Sequence, residues 1–189
     1  NTSEFNLKAK SHLGRAMIFF NNDDAQKAIA EYKLIIEKFQ GGPYFKEALL
    51  GLKSIYVGIA KVDEYISFIN TIPQYRISES EQDSLSYSAA FIKFSEQDFI
   101  TARDAFEKYI EEFDNGIFIN DAYYYLAYSH LDLGDSIGAN FCFSYLAENK
   151  VSMYLEHALI YLARDYFGKN DFTNSNRFYV DLEEIASNN

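Results

Sequence analysis

Small residues and large apolar ones recur along this chain in register. Ala16, Lys53, Ala90, Ala127 and Ala163 follow one another at steps of 37, 37, 37 and 36 residues, and all but Lys53 are alanine. Twelve residues beyond each anchor stand Ala28, Tyr65, Ala102, Ala139 and Ser175, small in every copy but the second. Four residues further come Tyr32, Ile69, Phe106, Phe143 and Tyr179, and three further again Ile35, Ile72, Tyr109, Leu146 and Leu182. The spacing of twelve, four and three keeps the last three columns on one face of a 3.6-residue helix. A small residue in mid-helix lets two backbones approach, and a ring one turn later fills the space opened beside it.

Polar turns divide the pattern into ten predicted helices near 3–20, 23–39, 43–59, 62–70, 79–95, 98–113, 117–133, 136–148, 152–168 and 171–186. The turn inside each pair carries Asp24, Asp98, Asp135 or Asp171, placed to accept from the free N–H groups of the following helix. The second pair has Lys61 there, with Asp63 as the expected substitute cap. Between pairs the breaks fall at Gly41-Gly42-Pro43, at Pro73 to Ser78, at Asp114-Asn115-Gly116 and at Glu148-Asn149-Lys150, and Ser78-Glu79-Ser80-Glu81 has the form of a capping box. With 2 Pro and 9 Gly in 189 residues, helix breakers are too scarce for a β-sandwich. The 16 Tyr and 17 Phe supply bulk to fill the space between helices.

These columns resemble the tetratricopeptide repeat, whose 34-residue pattern runs W-x2-L-G-x2-Y, then A-x3-F, then P. The fourth copy is the nearest to it: Tyr123-x2-Leu126-Ala127-x2-His130, Gly134-Asp135, then Ala139-x3-Phe143. The fifth, Leu159-x2-Leu162-Ala163-x2-Tyr166 with Ser175-x3-Tyr179, follows closely, and the second is degenerate at Tyr65. The resemblance implies an all-α, right-handed superhelical solenoid of about five helical hairpins. It would form a single array over 1–189 with repeats near 3–41, 43–73, 79–115, 117–149 and 152–187. The loops Phe39 to Tyr44 and Phe113 to Gly116, and the longer period, look like the bacterial cell-envelope members of that family, such as the outer-membrane assembly lipoprotein and the Tol-Pal accessory protein. That branch implies a periplasmic location, with the cytoplasm left open as the alternative.

What the family does follows from where its ligands sit. The first helix of each pair lines the concave side, and the family's ligand-facing positions fall here on Tyr87, Phe91, Phe94, Asp121, Tyr124, Tyr128, His157 and Arg164. Tyrosine offers contact area, little entropy loss and a polar tip, so such a floor suits a peptide or protein segment. The Lys and Asn of the family's carboxylate clamp are missing: those positions hold Leu13/Met17, Leu50/Ser54, Tyr87/Phe91, Tyr124/Tyr128 and Ile160/Arg164. The expected function is a non-enzymatic protein-interaction scaffold. The alternative is a structural spacer within a larger repeat protein.

Charge and candidate chemistry narrow this further. A net charge of −11 repels phosphate backbones and anionic lipid, so neither nucleic acid nor a membrane surface is the expected partner. No catalytic residue, cofactor or metal is expected. His12, His130 and His157 fall in three different repeats, and no metalloprotease, P-loop or nucleophile-elbow string occurs. The lone Cys142 reads as a small buried hydrophobe. No apolar run reaches the length of a bilayer span. The opening Asn1-Thr2-Ser3 suggests a segment of something longer. The last helix carries Phe172, Phe178, Val180 and Ile185 around more than one face before Ser187-Asn188-Asn189, so an uncapped end that self-associates is expected.

Overall fold

The computed structural model describes residues 2–73, 75–150 and 153–187. These form ten α-helices and no strand: α1 (Thr2–Asn21), α2 (Ala25–Lys38), α3 (Phe45–Gly58), α4 (Val62–Ile69), α5 (Glu79–Ser95), α6 (Phe99–Glu112), α7 (Ile119–Asp132), α8 (Ser136–Glu148), α9 (Leu155–Gly168) and α10 (Phe172–Ser187). Every predicted helix is present, α5 and α8 with the expected bounds and the others with ends shifted by at most three residues. Ser152, the expected start of the ninth, lies outside the described residues, as do Gln74 in the third break and Asn188-Asn189 at the end. The chain forms two compact units, 1–89 and 90–189, and the division falls inside α5.

Helices pack on their sequence neighbours within each unit: α1 on α2, α2 on α3 and α3 on α4 in the first, and α6 through α10 in succession in the second. This is a tetratricopeptide-like solenoid order, and the columns explain it. Ala16, Ala90, Ala127, Ala163, Ala28, Ala102 and Ala139 are all fully buried. Ser175 stands for alanine in the fifth hairpin and shows what the two small columns do, for its hydroxyl donates to the carbonyl of Ala163 at 2.9 Å across the pair. In the second hairpin the exceptions come together. Lys53 is half-buried and reaches Glu81 at 3.0 Å, while Tyr65 packs near Tyr56 with ring centroids 6.3 Å apart. Burial pushes the Tyr65 hydroxyl up to about 12.

The large columns join one hairpin to the next. The Tyr32 ring occupies the place where a Cβ on Gly51 would stand, Phe106 stacks with Tyr125 at 6.2 Å, and Phe143 lies 4.4 Å from Tyr161. Each pair joins a second helix to the first helix of the following hairpin. Phe106, Tyr109, Phe143 and Leu146 are fully buried, and each such side chain contributes about 1.5–3 kcal/mol. Tyr179 departs from its column: it is 47% exposed, because α10 has only α9 against it among the described residues.

The turn within each hairpin is built one way five times. Asp23, Ala60, Gln97, Gly134 and Asn170 have φ between 55° and 77°. The N–H of the next residue bonds back to the carbonyl five positions earlier in all five, as in Asp135 to His130 at 2.8 Å. This is a Schellman closure whose last residue starts the next helix. Asp24, Asp98, Asp135 and Asp171 then cap α2, α6, α8 and α10 by accepting from N–H groups two or three residues on. Asp63 is not the expected substitute: it lies inside the first turn of α4, and Lys61 at the cap position makes no side-chain cap bond. The capping box is half formed, since Ser78 accepts from the Glu81 N–H while the Glu81 carboxylate goes to Lys53.

Candidate functional site

The aromatic face predicted for the later repeats is assembled in the second unit from α5, α7 and α9. On α7, Tyr124 and Tyr128 lie one turn apart with rings 4.9 Å from each other. Tyr124 stacks flat on Tyr154, 3.9 Å away and 17° from parallel, and Tyr154 donates its hydroxyl to Asp121 Oδ1 at 2.6 Å. The loop before α9 is thereby tied to the first turn of α7. His157 meets the edge of Tyr124 at 6.0 Å, and Tyr128 stands edge-on to the buried Phe143 at 5.8 Å. Burial, and then its hydrogen bond with Tyr128, push the Tyr124 hydroxyl up to about 12, so it remains protonated.

Phe91 and Phe94 join this cluster through Tyr125, at 4.9 and 5.0 Å. The structure thus brings together Phe91, Phe94, Asp121, Tyr124, Tyr128 and His157. Arg164 stands exposed on α9, two turns beyond His157, and Tyr87 is half-buried in the first unit. Two members escaped the sequence reading. Tyr125 occupies the position that meets the ring of the preceding second helix, and the same position in Gly51 and Tyr161 is the signal that would have found it. Tyr154 falls before α9, where no column had been recognised.

The other chemical candidates are structural. His130 is buried, with Nδ1 2.9 Å from Asp135 Oδ2 and Nε2 3.8 Å from Glu107. Cys142 is fully buried, and burial, aided by Glu107 and Asp135, pushes its thiol up to about 12, so no thiolate forms near neutrality. Among the described residues no three His, Cys, Asp or Glu side chains converge as a metal site would require, and no helix is long and apolar enough to cross a membrane. An open cleft in the first unit, lined by Gly41, Pro43, Phe45, Ile72, Pro73 and Tyr75, carries no titratable group except the Tyr75 hydroxyl and the Lys46 ammonium. Charge is divided unevenly: residues 90–189 hold 17 acidic and 7 basic side chains, residues 1–89 hold 11 and 10.

Hairpins in register, small columns buried within a pair and rings bridging to the next define a tetratricopeptide-like helical-repeat fold. No family model matches the sequence, and no curated protein matches it. Among solved structures, MamA is similar over 92% of this chain and 97% of its own, with 19% identity and a TM-score of 0.48. A putative kinesin light chain of Podosopora anserina with nearly identical TPR-like repeats is similar over 95% of each chain, with 12% identity and a TM-score of 0.47.

Proposed function

We propose that the aromatic face of the second unit binds an extended segment of a protein partner. The observation that carries this is the tie of Tyr124 to Tyr154 and of Tyr154 to Asp121, which fixes a tyrosine platform beside half-buried Tyr128 and 36%-exposed Phe91 before any ligand arrives. Rings held by their neighbours lose little freedom on binding, and such preorganised aromatics are the usual hot spots. The excess of acid in this unit favours a basic segment. The long loops between hairpins support, within the same proposal, the cell-envelope branch of the family.

The test begins with peptides selected on the intact chain from a randomised displayed library. Their affinities are then measured against Tyr128→Ala and Tyr124→Ala. Each variant should weaken binding by about 2 kcal/mol or more. Undiminished binding by both would rule out this face and leave the spacer role as the better account.

A separate observation favours a second contact. Tyr179 is open and Leu182 half-buried on α10, in columns whose members on α2, α6 and α8 are covered by the next hairpin. That face is a docking surface, through which copies of the chain associate.

A further inference from the structure

Successive hairpins of the second unit are not joined alike. Where the fourth meets the third, the fourth carries a stack of rings, Tyr123 on Tyr145 at 3.6 Å and 17° from parallel, with Phe141 6.5 Å from Tyr123. The third adds Phe113, stacked on buried Tyr109 at 5.3 Å. One repeat later, between α8 and α10, the positions of Phe113, Phe141 and Tyr145 are held by Lys150, Arg177 and Asp181, and that of Tyr123 by Leu159. Four rings are lost, and Ala147 stands at the position of Ile110. At this joint lies a cleft of about 400 Å3 lined by Tyr166 and Phe178, whose rings stack 5.7 Å apart. A smaller hollow of about 180 Å3 shares Ala147, Lys150 and Asp181 with it and extends to Leu155, Leu159 and Ile185.

The charges round the cleft decide what it can hold. Lys150 and Arg177 line it together with Glu148 and Asp181, so its lining is neutral in sum. Elsewhere in the unit Lys93, Arg103, Lys108 and Lys169 are paired with carboxylates. Among the described residues Lys150 and Arg177 are not, and the Arg177 guanidinium lies over the Phe178 ring at 5.3 Å instead. A cation is one conceivable guest, because in the second hairpin the rings at the positions of Tyr166 and Phe178 are Tyr56 and Phe68, and the Lys33 ammonium lies over both, at 5.5 and 4.6 Å. Here Ser144 replaces that lysine, but Arg177 already covers Phe178 and Lys150 would repel a further cation. An anion would meet Glu148 and Asp181 in a unit with an excess of acid. A neutral ring offers its π-face to the two cations, and a hydroxyl on it donates to a carboxylate. Those two properties together describe a tyrosine side chain.

We propose that the cleft between α8 and α10 seats a tyrosine of a protein partner, its ring filling space that rings of the chain itself fill one joint earlier. Its hydroxyl donates to Asp181 or Glu148, and Lys150 and Arg177 flank the ring. This site is built chiefly on second helices and stands apart from the Tyr124 platform, which is built on first helices.

The experiment is an NMR titration of the whole isotope-labelled chain with N-acetyl-tyrosinamide and with the phenylalanine, lysine and O-phosphotyrosine analogues. The tyrosine probe should shift the amides of residues 144–150 and 174–181 with a dissociation constant on the order of 1 mM. The phenylalanine probe, lacking the donor, should bind about tenfold more weakly. Asp181→Tyr supplies a ring from the chain itself, as Tyr145 does, and should raise the melting temperature and abolish probe binding. Arg177→Ala, an exposed position, keeps the fold and should weaken the tyrosine probe about threefold. No shift in these amides at about ten times the expected constant overturns the proposal. So does phenylalanine binding as well as tyrosine, tighter binding of the lysine or phosphotyrosine probe, or undiminished binding by both variants. Shifts confined to α7 and the start of α9 would refute this cleft and leave the Tyr124 face standing.

Discussion

Replacing Ala60 by glycine should stabilise the protein although it removes a methyl group. Ala60 closes the turn between α3 and α4 at φ 55°, where the Cβ of an L-residue crowds the adjoining carbonyl. That conformation costs about 1–2 kcal/mol. Glycine escapes it, but loses about 0.5–1 kcal/mol through the greater freedom of the unfolded chain. The difference leaves a gain of about 0.5–1 kcal/mol. Gly134 is the same position two hairpins on, at φ 77° with open space around it, so Gly134→Ala should lose a similar amount through backbone strain alone. The two substitutions are each other's control, because the turn hydrogen bonds match: Lys61 to Tyr56 at 2.8 Å and Asp135 to His130 at 2.8 Å. Urea denaturation followed by circular dichroism measures both, with the midpoint read beside the slope because repeat arrays do not always unfold in one step. Opposite shifts are expected. Shifts of the same sign, or no shift in either, would refute the claim that one left-handed position recurs in every hairpin.

Gly116→Ala should destabilise by about 1–3 kcal/mol, since its Cβ would strike the Tyr109 hydroxyl and the Phe113 carbonyl oxygen, and adding Tyr109→Phe should recover part of the loss in thermal melts. The cap carboxylates of Asp24, Asp98, Asp135 and Asp171 are all held below the usual range, the first three by hydrogen bonds from Lys27, Thr101 and Gly138, the last by Asn174. A depressed folded-state value means their contribution is whole above the unfolded value of about 3.9 and fades as pH falls towards the folded value. Asp135→Asn, which keeps an acceptor but cannot titrate, should therefore narrow the stability difference between pH 7 and pH 3 in urea titrations. Cys142 should resist iodoacetamide in the native protein and react only as fast as the second unit opens, so rapid native labelling would contradict its burial.

The elements that the sequence made legible are those specified locally. Asp at four turns and alanine at the anchors name a cap and a close approach by chemistry that no other residue does as well. The left-handed position was hidden because Ala60 and Gln97 have no preference for it, and only Asp23, Gly134 and Asn170 hint at it. Tyr179 was placed correctly in its column, yet a column states which residues face a neighbour and not that the neighbour is present. The aromatic face was legible as a set, for Tyr124, Tyr128, Phe91 and His157 do come together. Tyr125 and Tyr154, which bind that set into one cluster, act through contacts between hairpins, and those depend on how one pair seats on the next.

The first hairpin shows how such a register tolerates a change of chemistry. At three repeat positions the second, fourth and fifth hairpins carry mainly apolar groups: Leu49, Leu52 and Phe68, then Tyr123, Leu126 and Cys142, then Leu159, Leu162 and Phe178; the third has Ser86, Ala89 and Ala105. At the same positions the first hairpin has His12, Arg15 and Glu31. Arg15 makes two bonds of 3.0 Å to the Glu31 carboxylate, and His12 Nδ1 lies 2.6 Å from it. Partial burial works to raise the Glu31 value, and the Arg15 and His12 hydrogen bonds more than offset it, so the carboxylate stays charged. Half-exposed ion pairs of this kind add little stability, about 0–1 kcal/mol, and leucine or phenylalanine would close the hairpin at least as well.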